Sequence, residues 1–560
     1  MTESLVTLGR RTKNLVSPEP HEGLRTSGGS KLRLGPARPA IHDLDAIPFP
    51  DRSLIDLRKY VRAPGMTMAH GLVPILATRG CPYACTYCHR IMSKKLHFRS
   101  AQNIFDEVRY YYDLGFRRFS FVDDIFNLRR DVSEGFYELV IKENLKLQIF
   151  FPNGLRGDIL TRDHIDLMAE AGVVNFALAL ETASPRLQKA IKKNMHLDKL
   201  RANIEYIVSK YPNEMMLDLF MMMGFPSETE EELDLTLEFA KSIKWLHFPV
   251  LSMVQIYPGS DMMSFALENG VSMAAIVEAG PVEHHQVPAT LPWSREFAKG
   301  KQVEFYVDYF FDKERLRSVL PTQMRHLGED ELVQRYNSVL PQDIRDFDTL
   351  LKVLQLTHDD LAGAEFTNEW QLPDSAIEAV ASTPKAPVRP DALRVLLLDF
   401  STLFKADQGA VYAVVEQPLG LLYLLTMINR RMDGRVAGHI AKSGIDFDSY
   451  DELDALVDQF RPDVIGARTL SCYKEFYHDA VQHLKTKCPS VPIIGGGPYI
   501  SSDYAWALDD PNLDMGVLGE GEYALLEVLE LMLKNGKKLP RTDDLVTIAG
   551  VAVAERSSRG

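Results

Sequence analysis

The sequence predicts an α/β protein with two sheet-bearing modules and a helical region between them. Three observations carry this. Over the first half, six apolar strand-like runs alternate with amphipathic helices, short of the eight units that close a full β/α barrel. Past a Pro- and Ala-rich linker, five further strand–helix units start afresh, the pattern of a doubly wound parallel sheet. Between the modules, the stretches Phe297–Leu320 and Glu329–Leu356 carry helical stripes such as Val303/Tyr306/Val307/Phe310, which suit a core.

The segments are read as a mobile lead-in over 1–40, a barrel over 41–270, a helical region over 271–378, a linker over 379–390 and a second module over 391–555. The lead-in is rich in Gly, Ser, Pro and Arg and shows no periodic apolar face. In the barrel, Val73–Thr78 is the first strand and feeds a cysteine-bearing loop. Ser100 caps a helix that Gly115 ends. The later strands are Arg118–Val122, Leu147–Phe151, Asn175–Leu180, Met216–Met223 and Val250–Ile256. Helices fall near Asp163–Ala171, Pro185–Lys192, Asp198–Tyr211 and Thr229–Ile243, the last with a capping box read at Ser227–Glu230. In the second module the strands are Arg394–Asp399, Arg435–Ile440, Pro462–Ala467, Val491–Gly497 and one from Met515, with Pro418–Arg430 as a buried helix.

The chemistry concentrates in Arg79–Arg90, where Cys81, Cys85 and Cys88 are spaced C-x3-C-x2-C. Three thiolates from one loop can converge on one centre. Iron–sulfur clusters usually take four cysteines, so three leave one iron open to a substrate or cofactor. A structural zinc held by these cysteines and His89 is the other reading, although zinc sites usually draw separated ligand pairs. Five cysteines in 560 residues do not make a secreted disulfide framework. The pair His284-His285 reads as a solvated loop pair.

This loop, with Tyr87 before its last cysteine, resembles the radical S-adenosylmethionine (SAM) enzymes. The resemblance implies a [4Fe–4S] cluster whose open iron chelates SAM, inside a partial (β/α)6 barrel. It further implies that Asp123 or Asp124 meets the SAM amine, that Arg156 pairs with its carboxylate and that Glu181 reaches its polar groups. Gly224 stands in the turn that admits the adenine, and Tyr257–Ser260 looks like the turn closing the last strand. Each position also has a structural explanation: Glu181 as a helix cap, Gly224 as a turn, the aspartates as strand ends.

The second module resembles the cobalamin-binding domain of cobalamin-dependent radical SAM enzymes. The matching words are Pro418-Leu419-Gly420, Pro462–Gly466, Gly495-Gly496-Gly497 and Gly519-Glu520-Gly521-Glu522. Glycines at strand ends let the backbone approach a bulky flat ligand. The resemblance implies that Ser471 hydrogen-bonds the nucleotide tail, and the loop after the first strand lacks the histidine that ligates cobalt from below. The module follows the barrel, whereas the family usually places it first. Ile41–Asp51, which resembles the joint from cobalamin domain to barrel, stands near the start, so the modules read as exchanged and facing each other.

A net charge of −14 gives no electrostatic case for nucleic acid. No run reaches the about 18 apolar residues of a membrane span, and the first residues lack the apolar core of a signal peptide. The expectation is a cytoplasmic enzyme using a [4Fe–4S] cluster, SAM and cobalamin. It would methylate an unactivated carbon of a small molecule or natural product, and draw electrons from a donor such as flavodoxin or ferredoxin; the alternatives are a radical SAM enzyme that catalyses cyclisation or rearrangement, or one whose second module holds no cobalamin and serves docking.

Overall fold

The computed structural model describes residues 26, 29–61, 69–88, 94–257, 260–279, 288–340, 344–367, 370–385, 387–406 and 415–555. His89 and the pair His284-His285 lie outside them. In chain order the strands are β1 (Lys31–Leu34), β2 (Leu72–Ile75), β3 (Thr78–Arg79), β4 (His97–Phe98), β5 (Arg118–Phe121), β6 (Gln148–Leu155), β7 (Val173–Glu181), β8 (Met216–Met223) and β9 (Phe248–Met253). The second module adds β10 (Leu393–Asp399), β11 (Val436–Lys442), β12 (Val464–Arg468), β13 (Ile493–Gly496), β14 (Met515–Val517) and β15 (Val551–Glu555).

The barrel sheet has six parallel strands in the order β2-β5-β6-β7-β8-β9, each beside its predecessor. Apolar side chains on both faces explain the parallel arrangement, because crossover helices cover both sides. The helix Glu230–Lys241 is capped by Thr229, whose hydroxyl accepts from the Glu232 N–H while Glu232 reaches back to the Thr229 N–H. The capping box therefore lies two residues beyond the Ser227–Glu230 reading.

Two strands begin with a buried polar residue, Arg118 and Gln148, and two more carry one at their third position, Asn175 and Asp218; of these Arg118, Gln148 and Asp218 meet the region that follows the barrel. Arg118 donates to Glu331, to the His326 carbonyl (2.8 Å) and to Gln148 (2.9 Å). Asp218 accepts from Arg335 at 2.7 and 2.8 Å and from Asn175 at 2.9 Å. The helices Lys313–His326 and Glu329–Asn337 thus seal the amino ends of the strands, opposite the cysteine loop. The long helices expected at 297–320 and 329–356 are each divided, with Asp312 and Asp346 capping the second pieces.

The second sheet runs β1-β15-β14-β13-β12-β10-β11. Strands β10 to β14 are parallel, while β15 and β1 close one edge antiparallel. Lys31–Leu34 therefore does not belong to a loose lead-in. It pairs with Ala552–Glu555, and Leu32 is buried in the core of the second module. Residues 379–381, read as linker, end the helix Asp374–Ala381, whose Ala376, Ile377 and Val380 pack into the barrel core.

The segment 41–54 is wedged between the modules. Arg52 is 1% exposed and donates to Gln417 (3.2 Å), Glu107 (3.3 Å) and the Pro74 carbonyl. The Asp51 N–H donates to Thr426 at 2.8 Å, and Tyr60 donates to Asp446 at 2.9 Å.

Candidate active site

The cysteine loop leaves β3 at the carboxyl end of the barrel sheet, and β3 pairs with β4 in a two-residue ladder that anchors both ends of the loop. Gly80 adopts φ +90°, which admits the sharp exit. Cys85 is buried, Cys81 half-buried and Cys88 exposed. A hydrogen bond from Cys88 brings the Cys85 thiol down to about 6 against the cost of its burial, and the same bond raises Cys88. Among the described residues no three His, Cys, Asp or Glu side chains stand ready-assembled as a metal cage. The loop supplies three thiol donors.

Behind the thiols lies a buried ammonium that sequence reading passed over. Lys193 donates to Glu181 at 3.0 Å, and Tyr87 donates to the same oxygen at 3.0 Å. All three cysteines feel the charge of Lys193. Burial would lower its pKa, but Glu181 and Cys85 outweigh burial and the net shift is upward. Glu181 holds φ +64°, a left-handed conformation that costs a non-glycine residue free energy. The tripod Tyr87–Glu181–Lys193 thus ties the loop to the end of β7.

The candidate SAM residues divide. One oxygen of Asp123 accepts from the Ala77 and Thr78 amides and from the Thr78 hydroxyl (2.7 Å), its other oxygen is buried with no hydrogen-bond partner, and burial pushes its carboxyl up to about 7. Asp124 is exposed and within electrostatic reach of Cys81, so of the two it is the carboxylate open to an amine. Arg156 is also engaged. It donates to Asp158 at 2.9 and 3.3 Å and to the carbonyls of Lys193 (3.1 Å) and Asn194 (3.0 Å), and it stacks 4.1 Å from the Tyr83 ring centroid. This is a clamp on the cysteine loop and on the Lys193 turn. Gly224 has φ +90°, and a Cβ there would lie 2.2 Å from Leu291, so leucine fills the space beside this turn. Glu228, pushed up to about 8 by burial, accepts the Gly224 and Phe225 amides at 2.6 and 3.1 Å.

In the second module the glycines also separate into two kinds. Added Cβ atoms at Gly420, Gly496 and Gly519 would meet nothing within 4 Å, leaving an open cradle at the carboxyl end of the sheet. Gly495 and Gly466 are closed by protein, with Ile500 at 2.9 Å and Leu397 at 2.7 Å, so they serve sheet packing. Gly497 has φ +81° and packs on Arg468, while Gly521 faces Leu424. Pro418 precedes the helix Leu419–Arg431, and Leu419 packs on the joint beside Leu44 and Ile47. The Ser471 hydroxyl lies 3.5 Å from Asp503, whose carboxyl burial pushes up to about 6. Glu520 and Glu522 point across the module boundary and form ion pairs with Arg79 at 2.9 and 2.6 Å. Tyr257, at the end of the last barrel strand, is pushed up to about 12 by burial and by neighbouring Cys472 of the second module. The carboxyl ends of the two sheets therefore meet.

Known families match at these same places. The Radical SAM superfamily model matches residues 75–240, and the B12 binding domain model matches 408–529. The chain carries a radical SAM domain followed by a B12-binding domain. Its radical SAM barrel precedes its B12-binding domain, in the order read from the sequence. An uncharacterized methyltransferase of Pyrococcus horikoshii is 26% identical over 274 residues, covering 47% of this chain and 54% of that protein. Bacteriochlorophyllide d C-12(1)-methyltransferase of Chlorobaculum tepidum is 26% identical over 199 residues, 34% of this chain and 41% of its own. Cytidylyl-2-hydroxyethylphosphonate methyltransferase of Streptomyces wedmorensis is 26% identical over 232 residues, 39% and 42%. The chain spans about half or less of the length of these curated relatives.

The cofactors of a cobalamin-dependent radical SAM protein are a [4Fe–4S] cluster, SAM and cobalamin. The residues fit each of them: three thiols in one loop beside a buried ammonium, an exposed carboxylate next to Cys81, and glycines with open space before them at the carboxyl end of the second sheet. Among the described residues no helix is long and apolar enough to cross a membrane.

Proposed function

We propose that this chain is a cobalamin-dependent methyltransferase that methylates an unactivated carbon of a small molecule in the cytoplasm, with electrons from a flavodoxin- or ferredoxin-like donor. The observation that carries the reading is the meeting of the two carboxyl faces, where the cysteine loop and the glycine cradle share one wall. When bound, the cluster with SAM would supply hydrogen-atom abstraction from the substrate, and cobalamin would supply the methyl group.

The chain's own part is binding, orientation and exclusion of water. Cys81, Cys85 and Cys88 would hold the cluster, and Lys193 offsets the negative charge gathered there. Asp124 would receive the SAM amine. Gly420, Gly496 and Gly519 leave room for the corrin and its tail, with Ser471 as a hydroxyl near that tail. Burial between the two sheets fixes the reacting groups relative to one another, which is where most of the rate gain of such a site arises.

The test is anaerobic. Wild type should bind cobalamin with a base-off spectrum, Gly496→Val should abolish binding, and Ser471→Ala should weaken it, with circular dichroism checking the fold. With substrate, 5′-deoxyadenosine and S-adenosylhomocysteine should form together. If wild type binds no cobalamin in any oxidation state, methyl transfer by this route is excluded. Deoxyadenosine without S-adenosylhomocysteine would indicate cyclisation or rearrangement instead.

A further inference from the structure

Arg79 lies two residues before Cys81, and its side chain is 8% exposed. It belongs to the barrel, yet its two ion-pair partners belong to the second module. Nη1 donates to Glu520 at 2.9 Å and Nη2 to Glu522 at 2.6 Å, so the planar fork spans two carboxylates rather than one. Glu520 and Glu522 are only 10% and 6% exposed. The second oxygen of Glu520 accepts the Ile41 N–H at 2.7 Å, drawing the joint into the same knot. Tyr423, on the helix Leu419–Arg431, places its ring centroid 5.5 Å from the guanidinium. Charges this buried are stabilising only in company, and loss of one partner is costly.

The two ends of this contact have different neighbours. On one side, only Gly80 separates Arg79 from the first cysteine. On the other, Glu520 and Glu522 flank Gly521 and follow Gly519, one wall of the open cradle. A ligand that orders the Gly519–Glu522 turn must order the carboxylates, and through them the root of the cysteine loop.

We infer that Arg79, Glu520 and Glu522 form a positioning latch between cofactor sites, through which cobalamin in the cradle and the cluster on the cysteine loop strengthen each other's binding. The latch rests on the cofactor placement proposed above. Linkage makes the effect reciprocal, and couplings of this kind typically change affinity by about 5- to 150-fold.

The experiment measures cobalamin affinity twice for each protein, without and with the reconstituted cluster, by spectroscopic titration under argon. For wild type, the cluster should tighten cobalamin binding about fivefold or more. The triple variant Arg79→Met, Glu520→Gln, Glu522→Gln removes all three charges together and leaves none stranded. Its two affinities should agree within about twofold, on the linkage scale used here. Arg79→Lys, which keeps the charge but loses the two-armed grip, should fall between, and it serves as the readout if the triple variant does not fold. Direct contact of the glutamates with cobalamin would change both affinities equally and leave the ratio at its wild-type value. A wild-type ratio near one, or a wild-type ratio preserved in both variants, overturns the latch while leaving the proposed function standing. Absence of cobalamin binding by wild type in both states removes the proposed function, and the latch with it.

Discussion

Replacing Lys193 by methionine should loosen the cysteine loop and destabilise the barrel together. In the native protein the Glu181 carboxylate holds two donors, the Lys193 ammonium and the Tyr87 hydroxyl, each at 3.0 Å. The side chains of Lys193 and Glu181 are 10% and 9% exposed, so the surface figure of about 0–1 kcal/mol for an ion pair does not apply. Breaking a buried pair by removing one partner costs about 3–5 kcal/mol, because the remaining charge is stranded. Methionine fills the volume of the lysine stem, so the loss is electrostatic and not a cavity. Changing both partners, Lys193→Met with Glu181→Gln, removes the stranded charge and keeps an acceptor for Tyr87. The double variant should recover most of the loss. The assay is denaturant unfolding of the cluster-free protein, run as a double-mutant cycle, with iron bound per chain after reconstitution as a second readout. Iron retention should fall in Lys193→Met, because Tyr87 sits between two of the thiols in the loop. A single variant within about 0.5 kcal/mol of wild type, or a double variant as unstable as the single, would refute the reasoning.

Single alanine variants of Cys81, Cys85 and Cys88 should each lose most bound iron and sulfide, whereas Cys472→Ala and Cys488→Ala should keep it; full iron in Cys85→Ala would sink the assignment. Arg335→Met should cost about 3–5 kcal/mol by stranding Asp218, and Arg335→Met with Asp218→Leu should restore most of it in the same unfolding assay. Asp399 is completely buried, and Arg468 and Lys442 overcome burial to hold its carboxyl at about 2. Its folded pKa lies below the unfolded value of about 3.9, so its contribution is complete above about pH 5 and is lost as pH falls through about 2, about 2.6 kcal/mol in all. Urea unfolding midpoints followed across that window should drop in wild type and flatten in Asp399→Asn.

What the sequence made legible was local. Cysteine spacing, apolar strands and glycine-rich strand ends are readable because each signal lies within a few residues. The hidden parts join distant residues. Lys193 looks like one lysine of a polar turn until the fold lays it behind the thiols. Arg79 and Glu520 carry no hint of each other, since their pairing depends on how two modules dock. Arg156 and one oxygen of Asp123 also tie down the loop and the strand end, contacts that join residues distant in the chain. One signal was present but unread: Arg118, Gln148, Asn175 and Asp218 are polar residues at or near the starts of buried apolar strands. Such residues need partners, and they announce the helices that cover that end.

The pairing of β1 with β15 has a mechanical consequence. Because one edge strand of the cobalamin sheet comes before the barrel and the other six come after it, the barrel is a guest inserted into its neighbour. Two tethers cross the boundary, residues 35–51 and 382–392, instead of the single hinge that joins domains laid end to end. A body held at two points can rock about the line between them but cannot swing freely. Any opening that lets substrate in must therefore be a rocking motion about that axis. Cutting one tether would release the barrel and at the same time strip the sheet of its edge, leaving β15 unpaired along that side.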